Sequence, residues 1–145
     1  IRKQLVPILL SELAGCVVGI LSVVYIAKEM GATPDVIRSL APKSVTTPIA
    51  MEVTKAVGGI PSLTAAVVVC VGLMCAVCGY KTMGFARVKS PVAQGLSMGT
   101  AAHALGTATS MDVSRVHGAY ASLGLTLNGI FTALLTPSIL PMLNI

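Results

Sequence analysis

Three stretches of this chain are long and apolar enough to cross a lipid bilayer. Residues 5–27, 60–80 and 119–143 contain Glu12 and no other Asp, Glu, Lys or Arg. A helix rises ~1.5 Å per residue, so the first stretch spans roughly 34 Å, enough for a hydrocarbon core of about 30 Å with some tilt. Backbone polar groups find no water at that depth and must bond within their own segment, which a helix achieves. The expected architecture is an all-α integral membrane protein, a polytopic helical bundle forming one membrane domain over residues 1–145.

Composition closes off the soluble alternative. Charged residues make up 10% of the chain, against about 25% in soluble domains, too few to coat a soluble bundle. Gly, Ala, Ser and Thr are abundant, as in lipid-embedded helices that pack backbone to backbone. The net charge of +5 comes from basic residues gathered at the ends of the apolar stretches. They read as topology signals, and no aromatic-basic surface suggests nucleic acid. Arg2 and Lys3 precede the first stretch, Lys81, Arg87 and Lys89 follow the second, and Arg115 precedes the third. With these on the cytoplasmic side, the stretches run outward, inward and outward. The opening Ile1-Arg2-Lys3-Gln4 and its apolar run are too long for a signal peptide and lack a clean small-x-small cleavage site, so the chain reads as a fragment of a longer protein.

Two further segments, 39–58 and 95–118, are apolar but interrupted by Gly, Pro, Ser and Thr, and each has a potential cation near its middle, Lys43 or His103. Broken backbone of this kind is tolerated at membrane depth where protein buries it or water fills a cavity. A shift of 60 positions lays Met51–Leu63 on Met111–Leu123 with five of thirteen pairs identical. Three more pairs are conservative: Glu52/Asp112, Thr54/Ser114 and Lys55/Arg115. The same register places Thr47 on Thr107 and Lys43 on His103. These segments are expected to be discontinuous or re-entrant and related by the repeat. If each dips in and returns, successive units are inverted, the arrangement that marks a midplane site in secondary transporters.

Lys43 lies among Pro42, Ser44, Thr46, Thr47 and Pro48. Thr47-Pro48 reads as an N-cap followed by Pro, so a half-helix is expected to begin there, offering free N–H groups and a positive dipole end to an anion beside the ammonium. His103, with Thr100 and Thr107 nearby, is an ionisable group in an apolar setting and can handle substrate or protons. The competing readings are a snorkelling Lys43 and a neutral His103 bonded to a backbone carbonyl. Asn128 is expected to bond between helices, and Pro137 and Pro141 to break the tail of the third stretch. Glu12 reads equally as a lining residue or a buried turn-facing group. Glu52/Lys55 and Asp112/Arg115 have the spacing of helical ion pairs. Cys75-Ala76-Val77-Cys78 lies inside an apolar stretch and reads as buried small hydrophobes, not a metal or redox site. No nucleophile–base set, phosphate loop, cofactor motif or metal-ligand spacing is present, so an enzyme is not expected.

The motifs LAPKSVTTPIAME (40–52), SPVAQGLSMGTAAHALGTATSMD (90–112) and GAYASLGLTLNGIFTALLTP (118–137) resemble the LrgB family, over nearly the whole chain. Family members are longer at the N-terminus, so the chain resembles their C-terminal portion. The resemblance implies a multi-pass protein of the inner (plasma) membrane. Bacterial members are described as antiholin-like modulators of murein hydrolases and autolysis, acting with a small holin-like LrgA partner. Relatives such as the plastid glycolate/glycerate translocator move small carboxylates of the pyruvate, acetate, glycolate and glycerate type. Taken with the residues, the leading expectation is a transporter of small monocarboxylates, with proton coupling open, and the alternative is the antiholin-like regulator. The expected partners are a small carboxylate, an LrgA-type protein, further copies of the chain and the lipid bilayer. The candidate substrate-binding residues are Lys43, Ser44, Thr46, Thr47, Thr100, His103, Thr107 and Asn128. One departure stands at Thr109, where the family pattern usually has a basic residue after Gly-Thr-Ala.

Overall fold

The computed structural model describes residues 2–145, with side chains from Leu5 onward. Those residues form six helices and no strand: α1 (Arg2–Glu29), α2 (Pro34–Leu40), α3 (Thr47–Ala56), α4 (Pro61–Phe85), α5 (Pro91–Val113) and α6 (Arg115–Met142). Proline stands in the first turn of α2, α3, α4 and α5, where its missing N–H has no intrahelical partner to lose. Ser114 alone separates α5 from α6; it is fully extended and its Oγ accepts the His117 N–H.

Three helices are long and apolar enough to span a membrane: Leu5–Glu29, Pro61–Phe85 and Arg115–Met142. Each begins or ends a few residues beyond the expected limits. The expected break at Pro137 and Pro141 does not occur, since α6 runs through both to Met142. Each proline removes one backbone bond, a loss that packing helices accommodate in membrane proteins. Leu10, Val18 and Ile26 on α1, Val69, Leu73, Met74 and Val77 on α4, and Ile130 and Leu134 on α6 face outward. Cys70 and Cys78 also face outward on α4, and all four thiols are free. Of the C-x-x-C pair, Cys75 is half-buried and Cys78 exposed, so the expected burial is corrected at Cys78, because α4 packs through its Thr64–Val68–Gly72 face instead.

Inside, a hydrophobic cluster of Ile20, Val24, Ile37 and Leu140 is accompanied by many buried polar groups: Glu12, Thr54, Thr64, His103, Ser110, Asn128, Thr132 and Thr136. The pair α5–α6 is the most extensive helix contact. A Cβ at Gly99 would collide with the Ala121 carbonyl oxygen, and one at Gly95 would lie 2.5 Å from His117 O. Two backbones therefore touch with nothing between them, the role that small residues serve in lipid.

Both interrupted segments are broken. Residues 41–46 separate α2 from α3, and His103 adopts φ 42°, ψ −128° within α5. The cap of α3 is corrected by one residue: Thr46 is the N-cap, Thr47 opens the helix, and no side chain caps it. Neither expected helical ion pair forms, the sole ion pair among the described residues being Arg38–Asp35 at 3.5 Å. Glu52 and Lys55 are exposed to solvent or headgroups, where such pairs contribute little, and the extended Ser114 takes Arg115 off the helical register of Asp112. The topology signal from Arg2 and Lys3 lies outside the described side chains.

Gly99→Ala is expected to destabilise the folded protein by about 3 kcal/mol, the upper range for overpacking, because the atom it meets is backbone. Gly84→Ala, with nothing within 4 Å of the new Cβ, serves as the control. Thermal unfolding in detergent, followed by size-exclusion chromatography, reads the difference.

Candidate ligand site

A cavity of about 700 Å³ opens between α1, the 41–46 break, the first half of α5 and α6. Its walls are mostly apolar. The polar groups on them include Glu12, Lys43, Ser44, Ser97, Thr100 and Asn128. Helical spacing brings these together. Glu12 and Cys16 are one turn apart on α1, as are Asn128 and Thr132 on α6, and Cys16 Sγ lies 3.3 Å from Thr132 Oγ1.

Asn128 is the centre of the arrangement. Its Nδ2 donates to Ser44 O at 2.7 Å and to Thr100 O at 3.0 Å. Both acceptors belong to interrupted backbone, Ser44 inside the 41–46 break and Thr100 in the turn before His103. Carbonyls at a helix break lose regular partners, and one amide satisfies one from each break. The two carbonyls also fix the amide's orientation, since only NH₂ can face them both. Asn128 Oδ1 is left buried without a partner. Lys43 Nζ donates to Ser44 Oγ at 3.2 Å. Among the described residues no carboxylate pairs with it, and its side chain is half-buried. An under-solvated cation of this kind gains strongly from an arriving anion. Glu12 Oε2 lies 2.6 Å from Thr100 Oγ1.

Of the sequence-predicted residues, the cavity gathers Lys43, Ser44, Thr100 and Asn128. His103 is elsewhere: its Nε2 lies 3.0 Å from Val68 O, facing α4. A carbonyl can only accept, so that nitrogen carries the proton. Gly72 makes the room, since a Cβ there would lie 2.5 Å from His103 Cε1. Thr107 Oγ1 donates to His103 O at 2.9 Å and so supports the break itself. Thr46 and Thr47 are half-buried around the start of α3 and do not line the cavity. Sequence reasoning left Glu12 undecided and missed Cys16, Ser97 and Thr132. The signal for Glu12 was available, as the lone charge in three apolar stretches. Among the described residues no three His, Cys, Asp or Glu side chains gather as a metal site.

Comparison with known proteins gives the lineage. Residues 1–142 match the LrgB-like family. The chain belongs to the LrgB family. It is 38% identical over 143 residues to a Haemophilus influenzae protein named only as uncharacterized, covering 99% of this chain and 62% of that protein. It is 36% identical over 140 residues to the uncharacterized protein YwbG of Bacillus subtilis, covering 97% of this chain and 62% of YwbG. It is 32% identical over 144 residues to the antiholin-like protein LrgB of Bacillus cereus strain B4264, covering 99% and 63%. The chain thus spans less than two thirds of the length of these LrgB relatives. No solved structure matches.

In this LrgB chain, replacing Asn128 by Leu removes both hydrogen bonds, to Ser44 O and to Thr100 O. At roughly 1–2 kcal/mol per interhelical bond in lipid, the expected loss is about 2–4 kcal/mol. Asn128→Gln, longer by one methylene, is expected to recover part of it. Resistance to unfolding by sodium dodecyl sulfate measures both.

Proposed function

We propose that the chain is the C-terminal portion of an antiholin-like membrane regulator of murein hydrolase activity, acting in the inner membrane with a small LrgA-type partner. What supports this reading is the name carried by its Bacillus cereus relatives, matched along 99% of this chain. Its test is genetic and physical. Deleting the gene is expected to alter autolysis rates, and tagged full-length protein is expected to retain an LrgA-type protein on purification in mild detergent. Unchanged autolysis together with no retained partner removes this reading.

A second reading is favoured by one observation, the cavity that brings Lys43, Ser44, Thr100 and Asn128 together. Under it the protein binds and moves small monocarboxylates of the pyruvate, acetate, glycolate or glycerate type, and the regulatory effect follows from that flux. Lys43 supplies the charge; Ser44 and Asn128 supply hydrogen bonds; the apolar walls suit the small organic remainder. In this account the segments 39–58 and 95–118 are re-entrant halves of an inverted repeat. Their breaks fall at the register-matched positions Lys43 and His103. Paired interruptions of this kind mark midplane sites in secondary transporters. His103 then keeps the second half's break in shape from the α4 side, and further copies of the chain would cover the exposed apolar faces in part.

Lys43→Ala is expected to abolish labelled pyruvate uptake into proteoliposomes while leaving membrane insertion intact. Lys43→Arg is expected to retain part of it, since the charge stays but its shape changes. Uptake by Lys43→Ala at the parent rate returns Lys43 to a purely structural role.

A further inference from the structure

The cavity holds a second ionisable group that the reading above leaves without a task. Glu12 is 3% exposed, and Thr100 Oγ1 lies 2.6 Å from its Oε2. The same hydroxyl lies 2.7 Å from Leu96 O, one turn earlier on α5. A threonine hydroxyl has a single proton to give, and a backbone carbonyl has none. If that proton points at Glu12, Thr100 Oγ1 and Leu96 O face each other lone pair to lone pair at 2.7 Å. If it points at Leu96 O, the usual back-bond of a helical threonine, the contact to Glu12 needs its proton from the carboxyl. Only the second arrangement makes both short contacts hydrogen bonds, and it puts a proton on Glu12. Its length fits an O–H···O bond, whose range is about 2.5–3.0 Å.

The surroundings agree. The charged or titratable groups that line the cavity with Glu12 are Lys43, from the 41–46 break, and Cys16, on its own helix. The facing groups from α5 and α6 are neutral: Ser97, Thr100, Asn128 and Thr132. Glu12 forms no ion pair among the described residues. An isolated carboxylate at that depth would be costly.

We propose that Glu12 is a proton-binding site of the cavity, linked to anion binding at Lys43 through Thr100, Asn128 and Ser44. The chain of contacts is continuous. Thr100 meets Glu12 with its hydroxyl and Asn128 with its carbonyl; Asn128 holds Ser44 O; Ser44 Oγ accepts from Lys43 Nζ. With a proton on Glu12, the field of Lys43 is free for an incoming anion. Without it, the cavity already contains a negative charge that opposes a second. Proton and anion therefore load together as a neutral pair, and each raises the other's affinity by the same factor. The anion half rests on the monocarboxylate reading; the proton half rests on hydrogen-bond counting alone.

An infrared pH titration of the full protein in lipid separates the two. A protonated-carboxyl C=O band is expected at neutral pH, lost at high pH and absent from Glu12→Gln, whose amide can still donate to Thr100. Thr100→Val, which keeps the shape and removes the partner, is expected to shift that band. A parent without the band, a band that persists in Glu12→Gln, or a band unmoved by Thr100→Val overturns the proton site. In proteoliposomes, acetate uptake driven by an inward proton gradient is expected to fall at least about fivefold in Glu12→Gln, the low end of a linked-binding effect. Uptake in Glu12→Gln with the parent's dependence on the gradient overturns the linkage. A parent that shows the band yet takes up no acetate supports the proton site and removes the monocarboxylate reading.

Discussion

A side-chain amide on α6 donates to Ser44 O and Thr100 O at once, and the geometry of the interior follows from that junction. A carbonyl freed by a helix break and shielded from water needs a partner supplied by the protein. Asn128 partners both breaks with a single NH₂ group. It thereby holds the 41–46 segment, which carries Lys43, against the half of α5 that carries Thr100. The 1% exposure of Asn128 means that water does not compete for those protons.

The junction works only because the helices around it come close. Gly99 lets α6 pass at the Ala121 carbonyl, and a Cβ at Gly124 would lie 2.7 Å from Leu96 O and 3.3 Å from Glu12 Oε1. A side chain at either position would lift α6 away and take Asn128 with it. The second interruption is held from the opposite direction. Thr107 accepts the task of bonding the His103 carbonyl, and the His103 ring reaches Val68 O on α4. One break is therefore anchored to α6 and the other to both α6 and α4, while the outer apolar faces of α1 and α4 are left for lipid.

Much of this could be read from the chain, and the failures have physical causes. The three spans announce themselves because long uncharged runs have few other uses. The two breaks were visible as Gly-, Pro- and Thr-rich interruptions in apolar sequence. Asn128 was legible as an interhelical bond, because a lone amide in lipid needs a partner. What periodicity does not carry is direction. His103 and Lys43 occupy matching positions in the 60-residue register, yet one side chain faces α4 and the other the cavity. A single residue at positive φ re-aims everything around it, and nothing in His103's neighbours foretells that angle. Glu12 stayed ambiguous for the same reason: α1 is apolar around most of its circumference, so only packing shows which side is inward.

The monocarboxylate reading proposed above requires that the space beside Asn128 and Lys43 admit a small carboxylate. Ser97 lines that space and remains exposed, so a cysteine placed there reports on it directly. The measurement is the rate at which a small permeant thiol reagent labels Ser97→Cys, in the full protein with its native cysteines replaced by alanine. Ala66→Cys, on the outward side of α4, serves as the reference. The account predicts that saturating pyruvate slows labelling at position 97 and leaves position 66 unchanged. Equal labelling of Ser97→Cys with and without pyruvate would contradict it.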